Sequence, residues 1–116
     1  TMIVTCEAFV LAERLGLSHQ ALFEVASKSS GQSWSLTTYC PVPGPVPGSP
    51  ANRDYAPGFA AALMLKDLGL AAEAAAFTNA ATPMGSRALE LYAEFVKQGG
   101  AGKDFSGIIG LIRGVA

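Results

Sequence analysis

The stretch that decides the fold is YAPGFAAALMLKDLGLAAEAAAF, residues 55–77. Alanine, leucine and methionine are strong helix formers and Pro57 suits a first helical turn, so we expect one long helix starting near residue 57. Apolar residues fall on almost every side of it, which predicts burial by neighbours on several faces. Phe59 and Lys66 are separated by about two helical turns, so we expect their side chains to share one face.

The dipeptide Lys66-Asp67 places charge in the middle of this apolar stretch. Such a charge costs free energy unless it is paired, hydrated in a cleft or bound to a ligand. Two interpretations stay open. Lys66 either extends along apolar surface and pairs with a nearby carboxylate, or contacts a ligand.

Composition bounds the kind of protein. The chain has 116 residues, a formal net charge of −1, 50% hydrophobic residues and 15% charged residues, and its length suits one domain, residues 1–116. The low charged fraction predicts packing against another domain or a second copy. The sequence has no basic stripe of the kind that indicates nucleic-acid binding. Its longest apolar run is too short to span a bilayer. Cys6, Cys40 and His19 form no metal-ligand pattern, so we expect two reduced thiols and no metal site.

Helical signals recur along the rest of the chain and no strand pattern interrupts them. Ser18 is an expected N-cap, Thr82-Pro83 opens a further helix, and Asp104 is an expected cap for the last one. The sequence therefore predicts an all-α fold of about five helices. They cover Met2 to Leu15, His19 to about Ser27, the central stretch, Pro83 to about Gln98, and a last helix containing Phe105, Ile108, Ile109 and Ile112.

Residues 29–54 differ in composition, with serine, threonine, glycine and five of the seven prolines. A proline-rich run is compatible with a disordered linker or a polyproline ligand. Trp34, Leu36 and Tyr39 would be costly to expose, so we favour a long ordered loop that begins with a short helical turn. Such loops often carry function.

Established catalytic signatures are missing: there is no G-x-G-x-x-G, no P-loop, no HExxH and no usable Ser/His/Asp set. What remains is a constellation of Trp34 and Tyr39 on the loop with Phe59, Lys66 and Asp67 on the central helix. Each also has a purely structural interpretation, since aromatic rings often pack in a core and Tyr39 can bond to backbone.

Three motifs carry a resemblance. They are SSGQSWSLTTYCPVPG at residues 29–44, ANRDYAPGF at 51–59 and LMLKDLGLA at 63–71, and the similarity extends through KDFS at 103–106. The sequence closely resembles the 3-hydroxyisobutyrate dehydrogenases of the β-hydroxyacid dehydrogenase family. The resemblance implies a helical C-terminal domain of the 6-phosphogluconate-dehydrogenase-like type, which makes substrate and subunit contacts.

The resemblance also implies what this chain does not carry. The family has an N-terminal Rossmann domain that binds NAD, and a catalytic lysine in a G-x-x-x-K-x-x-N-N segment that we expect to precede Thr1. Accordingly we predict no catalytic residue here. Lys66 and Phe59 would contact the cofactor, and Trp34, Tyr39 and Asp67 would contact the substrate.

The function implied by the resemblance is NAD-dependent oxidation of 3-hydroxyisobutyrate to methylmalonate semialdehyde in valine breakdown, with this chain inactive by itself. Expected partners are the hydroxy acid, the Rossmann domain and further copies in a homo-oligomer such as a dimer, without nucleic acid or membrane. Alternatives are a related hydroxyacid or semialdehyde reductase and a non-catalytic helical association module. The Ala- and Gly-rich composition favours a bacterial cytoplasmic protein, whereas a eukaryotic one would be mitochondrial.

Overall fold

The computed structural model describes residues 1–114, and these residues are mostly helical. Residues 1–56 with 106–114 form one compact unit and residues 57–105 form another. Across these residues no helix is long and apolar enough to cross a membrane. The α-helices are α1 (Met2–Arg14), α2 (His19–Ala26), α3 (Trp34–Thr37), α4 (Ala61–Thr78), α5 (Pro83–Phe95) and α6 (Ile109–Gly114), with 3-10 turns Pro50–Arg53 and Phe105–Ile108 and a π-turn Val96–Gly100.

The five expected helices are present, and the short helical turn expected at Trp34 is α3. Residues 1–114 contain six α-helices, three further short helical turns and an isolated antiparallel bridge between Ala60 and Asp104. The sequence did not predict the three further turns or the bridge, because a turn of four or five residues has too few residues to display a helical period. The predicted last helix, for example, starts as a 3-10 turn before α6 continues it.

The first unit is built around α1, which packs against α2, α3 and α6. Its core includes the fully buried side chains of Phe9, Cys6, Cys40 and Ile108. The predicted cap of α2 is confirmed, since Ser18 Oγ accepts a hydrogen bond of 3.1 Å from the Ala21 amide. Capping of this kind satisfies a backbone donor that the helix itself leaves free.

The proline-rich segment of this unit is tied down by one asparagine. The Asn52 side chain accepts from the Gly44 amide at 3.0 Å and donates to the Val46 carbonyl at 2.8 Å. The Tyr55 hydroxyl adds a hydrogen bond of 2.7 Å to the Pro41 carbonyl. Proline has no backbone N–H to donate, so hydrogen bonds from side chains replace the backbone–backbone hydrogen bonds that hold regular secondary structure together.

The second unit packs α4 against α5 and the Val96–Gly100 turn. α4 begins at Ala61, not near residue 57 as expected. Its first amides are satisfied by the opposite end of the unit: Ala61 N donates to Lys103 O at 2.8 Å and Ala62 N donates to Ala101 O at 3.2 Å. Residues 57–60 are held beside that segment, so they do not continue the helix.

The expectation that the central helix is buried on several faces is also wrong. Within α4, Ala61 is the single buried residue. Leu63 is 48% exposed, Leu70 54% and Phe77 90%. Periodicity reports only that a face is apolar, and in this unit α5 and the Val96–Gly100 turn do not cover that face.

Candidate functional site

The predicted site residues divide between the two units. Trp34 and Tyr39 belong to the first unit, and Phe59, Lys66 and Asp67 belong to the second. Each group has its own local geometry, and their predicted roles stay predictions.

Trp34 and Tyr39 form a stacked pair. Their ring centroids are 4.9 Å apart and the planes differ by 21°. Ser33 positions Trp34 at the start of α3, because its Oγ accepts from the Leu36 amide at 3.2 Å. Trp34 is nevertheless 57% exposed. It is therefore not a core residue of the described chain, and its outer surface is available for contact.

Phe59 precedes α4, so the expected shared helical face with Lys66 does not exist. Its backbone is instead held by residues 104 and 105. Phe59 N donates to Asp104 Oδ1 at 3.0 Å, and Phe59 O accepts from Phe105 N at 2.8 Å. The rings of Phe59 and Phe105 meet edge to face, with centroids 5.7 Å apart. Phe59 is thus fixed in place while remaining partly exposed.

Lys66 and Asp67 both lie on the exposed side of α4. Neither joins a salt bridge among residues 1–114, so the carboxylate partner that one interpretation gave Lys66 is not found there. Neighbours in sequence point about 100° apart on a helix and do not pair with each other. Both charges are consequently available to a partner outside these residues.

The sequence did not predict the contacts that the Asp104 side chain makes. It was expected to start the last helix, yet its carboxylate also reaches back 45 and 46 residues to the amides of Phe59 and Gly58. No local periodicity signals a contact over that separation. The one sequence hint was its place in the KDFS motif, which the resemblance singled out without a role.

A second group that the sequence did not reveal is the cluster of Glu13, His19 and Arg113 in the first unit. Glu13 accepts from Arg113 Nη2 at 2.7 Å and Nε at 3.1 Å, and lies 2.8 Å from His19 Nε2. Hydrogen bonding to Arg113, with a further contribution from His19, lowers the pKa of Glu13 to about 2. Glu13 therefore links α1, α2 and α6, which indicates a structural role.

The cysteines are free and buried. Burial raises the pKa of both the Cys6 and the Cys40 thiol, so neither is a ready thiolate nucleophile at neutral pH. In the part of the chain that the structure describes, no group of three histidine, cysteine or acidic side chains could hold a metal ion.

Comparison with known proteins supplies the family. Residues 1–112 match the family model described as NAD-binding of NADP-dependent 3-hydroxyisobutyrate dehydrogenase. The chain is 55% identical over 111 residues to the probable 3-hydroxyisobutyrate dehydrogenase of Mycobacterium tuberculosis, covering 96% of this chain and 37% of that protein. It is 51% identical over 105 residues to the NAD-dependent L-serine dehydrogenase of Pseudomonas aeruginosa, covering 90% and 35%.

A solved structure agrees with this assignment. The M. tuberculosis 3-hydroxyisobutyrate dehydrogenase with L-serine superposes with a TM-score of 0.94 at 54% identity, covering 97% of this chain and 38% of that one. The chain thus spans little more than a third of the length of these relatives.

The family match corrects the expected fold class. The resemblance implies a helical C-terminal domain of the 6-phosphogluconate-dehydrogenase-like type, with cofactor binding mainly elsewhere. The matching model instead describes this segment as NAD-binding. The error came from the resemblance, which implied that NAD is bound mainly by an N-terminal Rossmann domain, although an exposed ammonium on a helix can also contact such a ligand. The prediction of NAD as the cofactor is confirmed by that description, and the chain belongs to the 3-hydroxyisobutyrate dehydrogenase family.

Proposed function

We propose that the chain is part of an NAD-dependent dehydrogenase that oxidises 3-hydroxyisobutyrate to methylmalonate semialdehyde, a step of valine breakdown. Within that enzyme it supplies cofactor and substrate contacts, and it follows an N-terminal dinucleotide-binding portion. The observation that carries the proposal is Lys66: an exposed ammonium on an apolar helix, without an ion pair among residues 1–114. Such a cation suits an anionic hydroxy acid and a pyrophosphate.

The residues of the second unit fit the cofactor in chemistry. Lys66 offers a charged donor, and Phe59 offers a partly exposed ring whose backbone is fixed. When bound, NAD supplies the acceptor for the hydride removed from the substrate carbon. Lys66 would orient anionic groups, Phe59 would border the nicotinamide, and Asp67 would fix the substrate by hydrogen bonding.

The residues of the first unit fit the substrate's carbon skeleton. Trp34 presents an exposed apolar surface, and the partly buried Tyr39 ring stacked on it carries a polar hydroxyl. The methyl group of a branched 3-hydroxy acid would pack on the apolar surface, and its hydroxyl or carboxylate would contact the tyrosine hydroxyl. L-Serine is likewise a 3-hydroxy carboxylate; it is named in the P. aeruginosa L-serine dehydrogenase and accompanies the M. tuberculosis enzyme in the solved structure.

Turnover by the whole enzyme tests this proposal. Purified whole enzyme should oxidise 3-hydroxyisobutyrate with NAD at a higher kcat/KM than L-serine or 4-hydroxybutyrate, and should reduce tartronate semialdehyde poorly. A preference for one of the other substrates would instead make the protein a related hydroxyacid dehydrogenase or semialdehyde reductase. The 116-residue chain should give no turnover, and activity from it alone would contradict the division of roles.

The upstream coding sequence should contain the G-x-x-x-K-x-x-N-N segment. For location we propose the bacterial cytoplasm, although relatives include a mitochondrial Drosophila melanogaster protein.

A second candidate function is a helical module for association with a second copy. Leu63, Leu70 and Phe77 repeat every seven residues and form an exposed apolar stripe along α4. The stripe is symmetric about Leu70, so an antiparallel copy would pair Leu63 with Phe77. The same arrangement would bring Lys66 close to Glu73 of the other copy, because both flank the stripe on one side.

Lys66 separates the two candidates. If α4 serves only association, Lys66→Ala should weaken the oligomer of the whole enzyme and leave kcat/KM unchanged. If Lys66 contacts cofactor and substrate, kcat/KM should fall while the sedimentation coefficient stays constant. For the isolated chain, analytical ultracentrifugation at micromolar concentration should detect dimers that Leu70→Ser abolishes, and a monomeric wild-type chain would count against the stripe as an interface.

A further inference from the structure

Asp104 occupies an unusual position for an acidic residue. It is fully buried, and its Oδ1 accepts hydrogen bonds of 3.0 Å from both the Gly58 and the Phe59 amides. A buried carboxylate is costly unless donors surround it, and bonds to an ionised acceptor are about twice as strong as neutral ones. The carboxylate therefore binds the backbone of Gly58 and Phe59 strongly, two to three residues before the start of α4.

Phe59 is held by more than this one contact. Its carbonyl accepts from the Phe105 amide at 2.8 Å, and its ring meets the Phe105 ring edge to face. Ala60 forms an isolated antiparallel bridge with Asp104. Residues 58–60 are thus docked along residues 104–105 by backbone bonds, a carboxylate and a ring contact.

The same segment sets where α4 starts. The N-cap residue Ala60 has no side chain that could satisfy the first helical amides. The Lys103 and Ala101 carbonyls accept from the Ala61 and Ala62 amides instead. Because Lys66 lies in the second turn of α4, its position depends on this anchored start.

We propose that Asp104 is a positioning residue of the enzyme. By accepting hydrogen bonds from the Gly58 and Phe59 amides, it fixes the Phe59 ring and the start of α4 in the positions from which Phe59 and Lys66 contact the cofactor. The inference rests on the function proposed above for Phe59 and Lys66. Asp104 itself is buried away from solvent and acts through the residues it holds. Its loss removes the bonds to the Gly58 and Phe59 amides without removing any group proposed to contact the cofactor.

The first test concerns the 116-residue chain without cofactor. Asp104→Ala should lower hydrogen-exchange protection of the Gly58 and Phe59 amides at least tenfold, since each loses a charge-assisted bond. The matched control is Tyr92→Phe, which removes the buried bond of 3.0 Å from the Tyr92 hydroxyl to the Phe105 carbonyl. It should lower Tm comparably and leave those two amides protected. Unchanged protection in Asp104→Ala would overturn the proposal.

The second test concerns the whole enzyme. Asp104→Ala should raise the dissociation constant of NADH, measured by fluorescence quenching, about tenfold, and should raise KM for NAD more than it lowers kcat. Asp104→Asn retains an acceptor oxygen and should recover most of the affinity, whereas Tyr92→Phe should bind NADH as the wild type does. Wild-type affinity in Asp104→Ala with lost amide protection would overturn the positioning role.

Two further variants keep the result decisive. If Asp104→Ala does not fold, Asp104→Glu retains the charge but displaces it by one methylene, and should also weaken NADH binding; wild-type affinity in a folded Asp104→Glu would overturn the proposal. Phe59→Ala tests the underlying function separately. If Phe59→Ala itself leaves NADH affinity unchanged, the cofactor role of Phe59 fails together with the positioning role. If Phe59→Ala weakens NADH binding and Asp104→Ala does not, only the positioning role fails.

Discussion

The Glu13 cluster and the Lys66-Asp67 pair use charge in opposite ways. In the first unit Glu13 is bound by Arg113 and His19 and joins α1, α2 and α6. In the second unit Lys66 and Asp67 lie exposed on α4 and form no ion pair among residues 1–114. A charge whose partners lie in the same unit stabilises the fold. A charge without such partners does little for the fold and is available to a ligand.

The largest expected effect concerns Lys66. Lys66→Ala in the whole enzyme should lower kcat/KM about 100-fold, because a charge-assisted bond to an anionic ligand is worth about 1.5–3 kcal/mol. The free energy of unfolding of the 116-residue chain should change by less than about 0.5 kcal/mol, as for other exposed positions. Steady-state kinetics and urea unfolding measure the two quantities.

The exposed Lys97 provides the control for that experiment. Lys97→Ala should change neither kcat/KM nor stability. Equal losses of activity in both variants would mean that general surface charge, and not the place of Lys66, matters. A large loss of stability in Lys66→Ala would remove the contrast with the Glu13 cluster.

The next effect concerns Glu13 and stability. Glu13→Gln should lower the free energy of unfolding at pH 7 by about 2 kcal/mol, a value discounted from the pKa shift because Arg113 is partly exposed. The matched control is Glu90→Gln. Glu90 accepts from Arg87 at the same 2.7 Å, but the Glu90 side chain is 65% exposed against 26% for Glu13. Its loss should cost less than about 0.5 kcal/mol. Equal costs would show that burial does not decide the value of these pairs.

A pH dependence follows from the same shift. The pKa of Glu13 is lowered from 4.5 to about 2 in the folded chain. Its contribution is therefore complete above about pH 4.5 and is lost as pH falls toward 2, because the unfolded state takes up the proton first. The stability difference between wild type and Glu13→Gln should be constant from pH 5 to 7 and should shrink steadily below pH 4.5. A difference that persists at pH 2 would contradict the assignment.

The smallest expected effect concerns Trp34. Trp34→Ala should raise the KM for 3-hydroxyisobutyrate about fivefold in the whole enzyme and destabilise the chain by about 1 kcal/mol, the worth of one aromatic contact. Leu15→Ala is the control, since Leu15 is a large, exposed apolar side chain of the same unit. It should leave KM unchanged. A loss of several kcal/mol for Trp34→Ala would make the residue structural.

Local signals in the sequence were enough for some elements and not for others. The Ser18 cap and the proline opening of α5 follow from residues within four positions of one another. The start of α4 did not, because it is set by carbonyls of residues 101 and 103 about 40 positions away. The roles of Lys66, Phe59, Trp34, Tyr39 and Asp67 came from the resemblance and stay predictions.

The sequence by itself determined that this chain is rich in helix and belongs to a dehydrogenase family, since helix propensity, capping and motif spacing are local or linear properties. Tertiary structure alone decided which charges are paired and which apolar residues are covered. Arg113 meets Glu13 across 100 positions and Asp104 meets Phe59 across 45. Such contacts depend on how the chain folds in three dimensions. A pattern that repeats every few residues does not specify which distant residues meet.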